Sequence, residues 1–167
     1  MMQKNQLIVI IFLSTSFLIS RCEGFNWHDE FNILDCNQND IKILNQFINQ
    51  SSNTINMDMD TDLNGKVDAL ELGWQMWERG RLVHWICNDV PSPWYVYPYN
   101  CGLSGSLPDN IDDLSMIQKL KIEKNMFTGE IPKSICRMNA TQSSLYWFDL
   151  SGNRFEEPFP DCIKIGK

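Results

Sequence analysis

Apolar and polar residues in the second half of the chain follow a pattern that returns after a fixed interval. The segment LSGSLPDNIDDL, residues 103–114, recurs as FTGEIPKSICRM, residues 127–138, with matching positions 24 residues apart. Such a period is typical of a solenoid, in which each unit buries its apolar row only by stacking on the next unit. The pattern therefore predicts a stack of short repeats.

The segment between the two copies shows how one repeat is built. In LSMIQKLKIEKN, leucine, isoleucine and asparagine follow the spacing L-x-x-L-x-x-L-x-L-x-x-N. Leu120 and Ile122 are predicted to point inward from a short strand. Asn125 follows that strand, where its amide can pair backbone groups that the turn would leave without hydrogen bonds. The segment LYWFDLSGNRF repeats the pattern after 28 residues, so about four residues are inserted near MNATQSS.

This spacing resembles the leucine-rich repeat family, and the trailing F-x-G-x-I-P resembles the plant-type variant of that family. The resemblance implies an α+β solenoid of about three turns, over residues 95–118, 119–146 and 147–167. Cysteines similar to Cys136 and Cys162 recur near the ends of plant-type arrays. The resemblance therefore implies a bridge between these two residues.

The segment before the repeats is predicted to cap them, because a solenoid must cover its apolar ends. Residues 39–50 place four apolar side chains on one face of a helix that Asn39 would cap: Ile41, Leu44, Phe47 and Ile48. This helix, with Cys36 before it, resembles the capping helix of plant-type repeats. The stretch WICNDVPSPWYVYPYNC resembles the cysteine pair of the same cap and implies a Cys87–Cys101 bridge.

Residues 60–71, DTDLNGKVDALE, place oxygen-bearing groups at regular intervals around Gly65, where the loop turns. Ca²⁺ takes six to eight hard oxygen ligands, so this spacing suits a calcium ion. The loop resembles the EF-hand family and the calcium loops of bacterial dockerin modules. The expected ligands are Asp60, Asp62, Asn64, the backbone carbonyl of Lys66, Asp68 and Glu71. The alternative is an acidic surface turn that binds no ion.

The segments on either side of this loop differ in how well they fit an EF-hand. We predict an exiting helix from about Ala69 to Trp85, whereas SSNTINMDM before the loop fits an entering helix poorly. A single loop joined to a disulfide-bearing cap is expected to use calcium as a rigid brace and not as a switch.

The repeat register also assigns the strand positions that flank the inward residues. These positions form a predicted ligand-binding face with three rows: Tyr95, Tyr97 and Tyr99, then Lys119, Lys121 and Glu123, then Trp147, Asp149 and Ser151. Tyr and Trp on a rigid surface are typical anchors of recognition. The alternative for the tyrosine row is burial in the core of the cap. Pro98 within that row marks it as an irregular edge strand.

The N-terminal segment is predicted to direct secretion. Residues 7–20 are almost wholly apolar but fall short of the ~20 residues that cross a bilayer, which favours a signal peptide. We expect cleavage before Phe25 and no later membrane span, although an uncleaved anchor is an alternative. Cleavage after Ser20 would instead retain Cys22, which could pair with Cys36.

The expected organisation is thus a signal peptide over 1–24, a helical cap over 25–94 and repeats over 95–167. Asn49 and Asn139 begin glycosylation acceptor tripeptides, in agreement with a secreted or extracellular protein.

Charge and motif content narrow the functional classes. The net charge of −7 argues against a nucleic-acid partner. His28 and His84 lie in no recognisable nucleophile or metal motif, so we expect no enzymatic activity. The first hypothesis is a secreted recognition module that binds a protein or glycan ligand, with a membrane receptor as one such partner. The second is a structural or adhesive extracellular matrix protein that assembles through calcium and a spare cysteine.

Overall fold

The computed structural model describes residues 36–88, 101–141 and 147–163. These residues form two α-helices, α1 (Gln38–Gln50) and α2 (Ile135–Thr141). They also form seven strands: β1 (Trp74–Glu78), β2 (Arg81–Ile86), β3 (Ser104–Gly105), β4 (Lys119–Lys121), β5 (Met126–Glu130), β6 (Trp147–Asp149) and β7 (Arg154–Glu156). The α+β class is confirmed. No helix of the described ranges is long and apolar enough to cross a membrane.

The strands form two sheets. The main sheet has the order β1-β2-β4-β6, and the second sheet has the order β3-β5-β7. The hairpin β1–β2 is antiparallel, whereas β2, β4 and β6 run parallel to one another. Strands β3, β5 and β7 are also parallel. Lys119, Leu120 and Lys121 pair with the residues 28 positions later in β6, as the repeat register predicted.

The apolar core lies behind the main sheet. The predicted inward residues Leu120 and Ile122 are completely buried. Trp85 of β2 lies opposite Leu120 and is buried as well. Helix α1 closes this core, because Phe47 meets the rings of Trp85 and Phe127 edge-on at centroid distances of 4.9 and 5.7 Å. The aromatic contacts therefore join the helix to both sheets.

The predicted helix from Ala69 to Trp85 is wrong. A short 3₁₀ segment, Ala69–Glu71, is followed by the hairpin β1–β2. Arg79 and Gly80 both have positive φ, 50° and 73°, as a two-residue hairpin turn of right-handed twist requires. The N-cap residue of α1 also differs from the prediction, because the side chain of Asn37, and not that of Asn39, accepts hydrogen bonds from the first helical N–H groups.

The neighbours of β4 in the main sheet are β2 and β6, and the tyrosine row stays a prediction. Strand β2 pairs with one edge of β4 and β6 with the other. Tyr95, Tyr97 and Tyr99 themselves fall outside the described residues. Because β2 belongs to the predicted cap, the main sheet continues across the predicted boundary at residue 95.

Both implied disulfide bridges are present. Cys87 is bonded to Cys101 with a Cα–Cα distance of 5.4 Å, and Cys136 to Cys162 with a Cα–Cα distance of 5.6 Å. Cys36 is also disulfide-bonded.

A buried ion pair fastens α1 to the hairpin. The Asp40 side chain is 1% exposed and accepts hydrogen bonds from the Arg81 guanidinium at 2.9 and 3.0 Å. The backbone N–H of Leu82 donates to the same carboxylate at 2.9 Å. Arg81 also donates to the Ser115 hydroxyl at 2.8 Å, in the connection that leads to β4. The Asp40–Arg81 ion pair therefore holds the helix, the hairpin and the next connection together.

We predict that Asp40→Asn lowers the free energy of unfolding by about 3 kcal/mol, because it leaves a largely buried guanidinium without its counter-charge. Urea denaturation measures the loss. Asp112→Asn is the matched control, since it removes an equally bidentate pair whose arginine, Arg137, is mostly exposed. That control is expected to cost much less than Asp40→Asn, because solvent screens an exposed ion pair. Equal losses in the two variants would contradict the assigned role of Asp40.

The side chains of two asparagines form hydrogen bonds with backbone groups of the turns that follow the parallel strands. The Asn125 amide donates to the carbonyls of Cys87 and Ile122 at 2.6 and 3.1 Å, and its oxygen accepts from the Leu103 N–H at 2.9 Å. Asn153 repeats the arrangement, with its amide on the Ile122 carbonyl at 3.0 Å. The predicted role of Asn125 is confirmed.

We predict that Asn125→Ala lowers the free energy of unfolding by about 2–4 kcal/mol, because it leaves a buried carbonyl and a buried N–H without partners. Asn153→Ala is expected to cost less, since Asn153 is only partly buried. The midpoints of urea unfolding compare the two variants, and a larger loss at Asn153 would argue against this explanation.

Candidate functional site

The acidic loop at residues 60–71 brings three carboxylates together. Ligand oxygens of Asp60, Asp62 and Glu71 all lie within 4.8 Å of one another. Asp60 and Asp62 open the loop, and Glu71 returns to them from the 3₁₀ segment at its end. The loop therefore closes on itself through acidic side chains.

Local hydrogen bonds explain this closed shape. Gly65 has a φ of 90°, a conformation that few other residues adopt, and its N–H donates to Asp60 at 2.9 Å. The N–H of Asn64 donates to Asp60 and Asp62 at 3.1 and 3.0 Å. Val67 is buried and fixes the middle of the loop to the core. The turn is thus set by Gly65, and the two aspartates are oriented by backbone donors.

Glu71 is oriented by four donors. Its Oε1 accepts from the N–H and the hydroxyl of Thr61 at 2.7 and 2.6 Å, and from the N–H of Asp62 at 3.2 Å. Its Oε2 accepts from the N–H of Asp68 at 3.0 Å. Burial opposes ionisation of Glu71, but these hydrogen bonds outweigh it and lower the pKa of Glu71. The side chain is held as a carboxylate.

The other expected ligands have different partners. The Asn64 oxygen accepts from the N–H of Lys66 at 3.1 Å, and the Asn64 amide donates to Asp62 at 2.8 Å. The Lys66 ammonium pairs with Asp68 at 2.9 Å, which lowers the pKa of Asp68. The structure therefore groups Asp60, Asp62 and Glu71 and leaves Asn64 and Asp68 in contacts within the loop.

No basic side chain of the described residues forms an ion pair with the three grouped carboxylates, although the charge of nearby Lys66 attracts Asp62 and Glu71. The ion pairs found there join Lys66 to Asp68, Arg81 to Asp40, Lys121 to Glu123 and Arg137 to Asp112. Three carboxylates at this separation repel one another. A hard divalent cation is the kind of group that such a donor set accommodates.

The outer face of the main sheet contains the second candidate site. Lys119 and Lys121 flank the buried Leu120 on β4 and are half-buried. Asp149 of β6 lies opposite Lys121 and is half-buried, while Ser151 beyond it is exposed. Trp147 pairs with Lys119 through the backbone, and its side chain lies outside the described residues. The lysine row and the row after it are therefore adjacent, as predicted.

Glu123 does not belong to the exposed face. Its side chain is 3% exposed, and its Oε1 accepts from the Asn88 amide at 2.6 Å and pairs with the Lys121 ammonium at 3.0 Å. The prediction of an exposed Glu123 is wrong because the strand ends at Lys121 and Asn88 from the cap packs over the next turn.

The hairpin supplies face residues that the repeat register did not predict. Met76 lies opposite His84, which in turn lies opposite Lys119. Trp74 is two pairs further along β1, on the same face as Met76, and the centroid of its ring is 6.1 Å from that of His84. Burial, and then the charge of Lys119, lower the pKa of His84. The signal for these residues was the pair of short runs WQMWE and RLVHWI, which contain aromatic and β-branched residues and are separated by the two residues Arg79-Gly80.

The two glycosylation candidates differ in what the structure describes. Asn49 is exposed near the end of α1, and the hydroxyl of Ser51, the third residue of its tripeptide, is buried and accepts from the N–H of Ser104 at 2.9 Å. Asn139 lies in α2, and its side chain falls outside the described residues. Modification at either position stays a prediction.

Comparison with known proteins bears on the strands after residue 143. Residues 144–164 match the family model of the Leucine Rich Repeat. No curated protein and no solved structure matches the chain. The matched residues include β6 and β7, one strand from each sheet. The match supports a leucine-rich repeat in this part of the chain and suggests a protein-interaction module.

Proposed function

We propose that this protein is a secreted recognition module, and that the outer face of β1, β2, β4 and β6 binds a protein or glycan ligand. The observation that carries the proposal is the parallel succession of β2, β4 and β6 in one sheet, together with the leucine-rich repeat match. Parallel strands in a constant register present alternate side chains in rows, which form a rigid surface for a partner. A membrane receptor is one such partner.

The chemistry of this surface changes from one edge of the sheet to the other. Trp74 and Met76 on β1 provide apolar and aromatic contacts, and Met76 is 38% exposed. Lys119 follows on β4, and Asp149 lies on β6. Aromatic side chains on a rigid surface are typical anchors of interfaces that bind a specific ligand. This chemistry supports recognition as the proposed function.

We propose further that the repeats stack as a short plant-type solenoid that the hairpin and α1 cap. The support is the register of 28 residues between β4 and β6 and the repeated asparagine bonds at Asn125 and Asn153. A capped stack covers its first apolar face with α1, whose Ile43, Leu44 and Phe47 are buried.

Calcium is proposed to brace the cap through the loop at residues 60–71. Asp60, Asp62 and Glu71 would hold the ion, with the backbone carbonyl of Lys66 as a further oxygen ligand. The ion would neutralise the mutual repulsion of the three carboxylates. Asn64 and Asp68 would join only if they exchanged their present partners within the loop.

Secretion is supported by the disulfides, since such bridges persist in oxidising compartments. The two described bridges use four cysteines, and Cys36 is bonded as well. Cleavage before Phe25 stays a prediction. The adhesive matrix alternative loses its spare cysteine, because none of the described cysteines is free.

We predict that Glu71→Gln weakens calcium binding by about tenfold or more and reduces the rise in melting temperature that calcium produces, because a carboxylate ligand becomes an amide. Calorimetric titration measures the affinity, and thermal unfolding with calcium and with chelator measures the rise. Some loss of stability is also expected in chelator, since Glu71 accepts four hydrogen bonds within the loop.

Asp58→Asn is the matched control for Glu71→Gln. Asp58 is an exposed acid two residues before the loop and is not among the grouped carboxylates. This variant should bind calcium with the affinity of the unmodified protein. If calcium leaves the melting curve of the unmodified protein unchanged, the proposed calcium site is wrong.

We predict that Lys119→Glu abolishes binding to any ligand that the outer face recognises, because it reverses a charge at the centre of the rows. Binding is measured on arrays of extracellular proteins and of polysaccharides. Lys133→Glu is the control, since it makes the same change at an exposed lysine outside the main sheet, in the connection between β5 and α2. Equal effects of the two substitutions would show that net charge, and not this face, determines binding.

A further inference from the structure

We propose that Gln75 is a positioning residue through which the loop at residues 60–71 controls the order of the recognition hairpin β1–β2. A cation bound in the loop would thereby order the strand that carries Trp74 and Met76. This inference rests on the proposed function and deepens it, because it assigns the calcium loop a regulatory effect on the binding face beyond bracing the cap.

Gln75 lies on β1 between two residues of the outer face and is itself directed toward the loop. Its amide donates to the carbonyl of Ala69 at 2.7 Å and to the carbonyl of Leu72 at 2.9 Å. These two carbonyls bracket Glu71, the carboxylate that returns to Asp60 and Asp62. The end of the loop is therefore hydrogen-bonded to β1 by one side chain.

The hydrogen bonds of Gln75 continue into the hairpin. Both amide hydrogens of Gln75 are used, and its oxygen accepts from the indole N–H of Trp77 at 2.9 Å. The buried indole N–H of Trp85 in β2 also donates to the Leu72 carbonyl at 2.9 Å. A side chain with every polar group paired is held in one orientation, so a displacement of the loop must displace the strand.

Gly73, which links the loop to β1, has little room to change its position. Gly73 has a φ of 70°, and its N–H donates to the Met59 sulfur at 3.3 Å. A Cβ at this position would lie 2.5 Å from the Ile86 carbonyl oxygen and 3.0 Å from the sulfurs of Cys87 and Cys101. The connection is therefore pressed against β2 and the disulfide, and it cannot absorb a shift of Glu71 by bending freely.

Repulsion among the carboxylates of the loop would drive the movement that Gln75 transmits to β1. When no cation is present, repulsion among Asp60, Asp62 and Glu71 opposes the four hydrogen bonds that hold Glu71, so Glu71 moves away from the start of the loop more readily. Gln75 then transmits the displacement to β1. Binding of a divalent cation removes the repulsion, so the 3₁₀ segment and the hairpin are ordered together.

Amide hydrogen exchange of the full secreted chain tests the inference, with calcium and with chelator. In the unmodified protein, calcium should slow exchange about tenfold or more in residues 57–72 and also in residues 74–86. In Gln75→Met, calcium should still slow exchange in residues 57–72 and should lose most of its effect on residues 74–78. Gln38→Met is the control, since Gln38 is an exposed residue of α1 with a local hydrogen bond to Cys36. It should behave as the unmodified protein does.

Gln75→Glu provides a second variant if Gln75→Met fails to fold. It retains an acceptor for Trp77 and removes the two donors, so it should lose the coupling in the same way. Calorimetric titration with calcium separates the causes of failure. If calcium binds and protects only residues 57–72 of the unmodified protein, the coupling is wrong and the calcium site stands. If no calcium binds, the calcium part of the proposed function is wrong and the coupling is overturned with it.

Discussion

The hydrogen-bonding requirement of the turns after the parallel strands governs the rest of the structure. A buried carbonyl or N–H without a partner costs more than most single contacts contribute, so each turn needs a donor and an acceptor that the chain supplies internally. Asn125 and Asn153 meet that need, and the Ile122 carbonyl accepts from both. Neighbouring turns are thereby fixed to each other, and the spacing of the side chains on the outer face follows from that attachment.

The cap covers an apolar end of the sheet and also fixes the orientation of α1. An apolar sheet end must be covered, and α1 does so with Phe47 against Trp85 and Phe127. Burial of apolar area has no directional preference, so it does not by itself fix the angle of the helix. Asp40 provides direction, because its carboxylate meets both the guanidinium of Arg81 and the N–H of Leu82.

Features that depend on local spacing could be predicted from the sequence. The interval of 28 residues gave the pairing of β4 with β6, and the L-x-L pattern gave the burial of Leu120 and Ile122. The hairpin could not be derived from the repeat, because β2 reaches β4 through a connection of another length. The burial of Glu123 depends on Asn88, 35 residues earlier, and no periodic rule reaches that far. In the acidic loop, the spacing predicted that the carboxylates lie together. It did not predict that Asp68 pairs with Lys66 and stays apart from the other three.

The place of β2 within the main sheet has a consequence for cooperativity. The sequence pattern divides the chain into a cap and a repeat array. The backbone hydrogen bonds of β4, however, join it both to β2 of the cap and to β6 of the array. Neither part can lose its structure without leaving an open sheet edge on the other. The described residues are therefore expected to unfold in a single transition, so that cap and array form one thermodynamic unit despite their different sequence patterns.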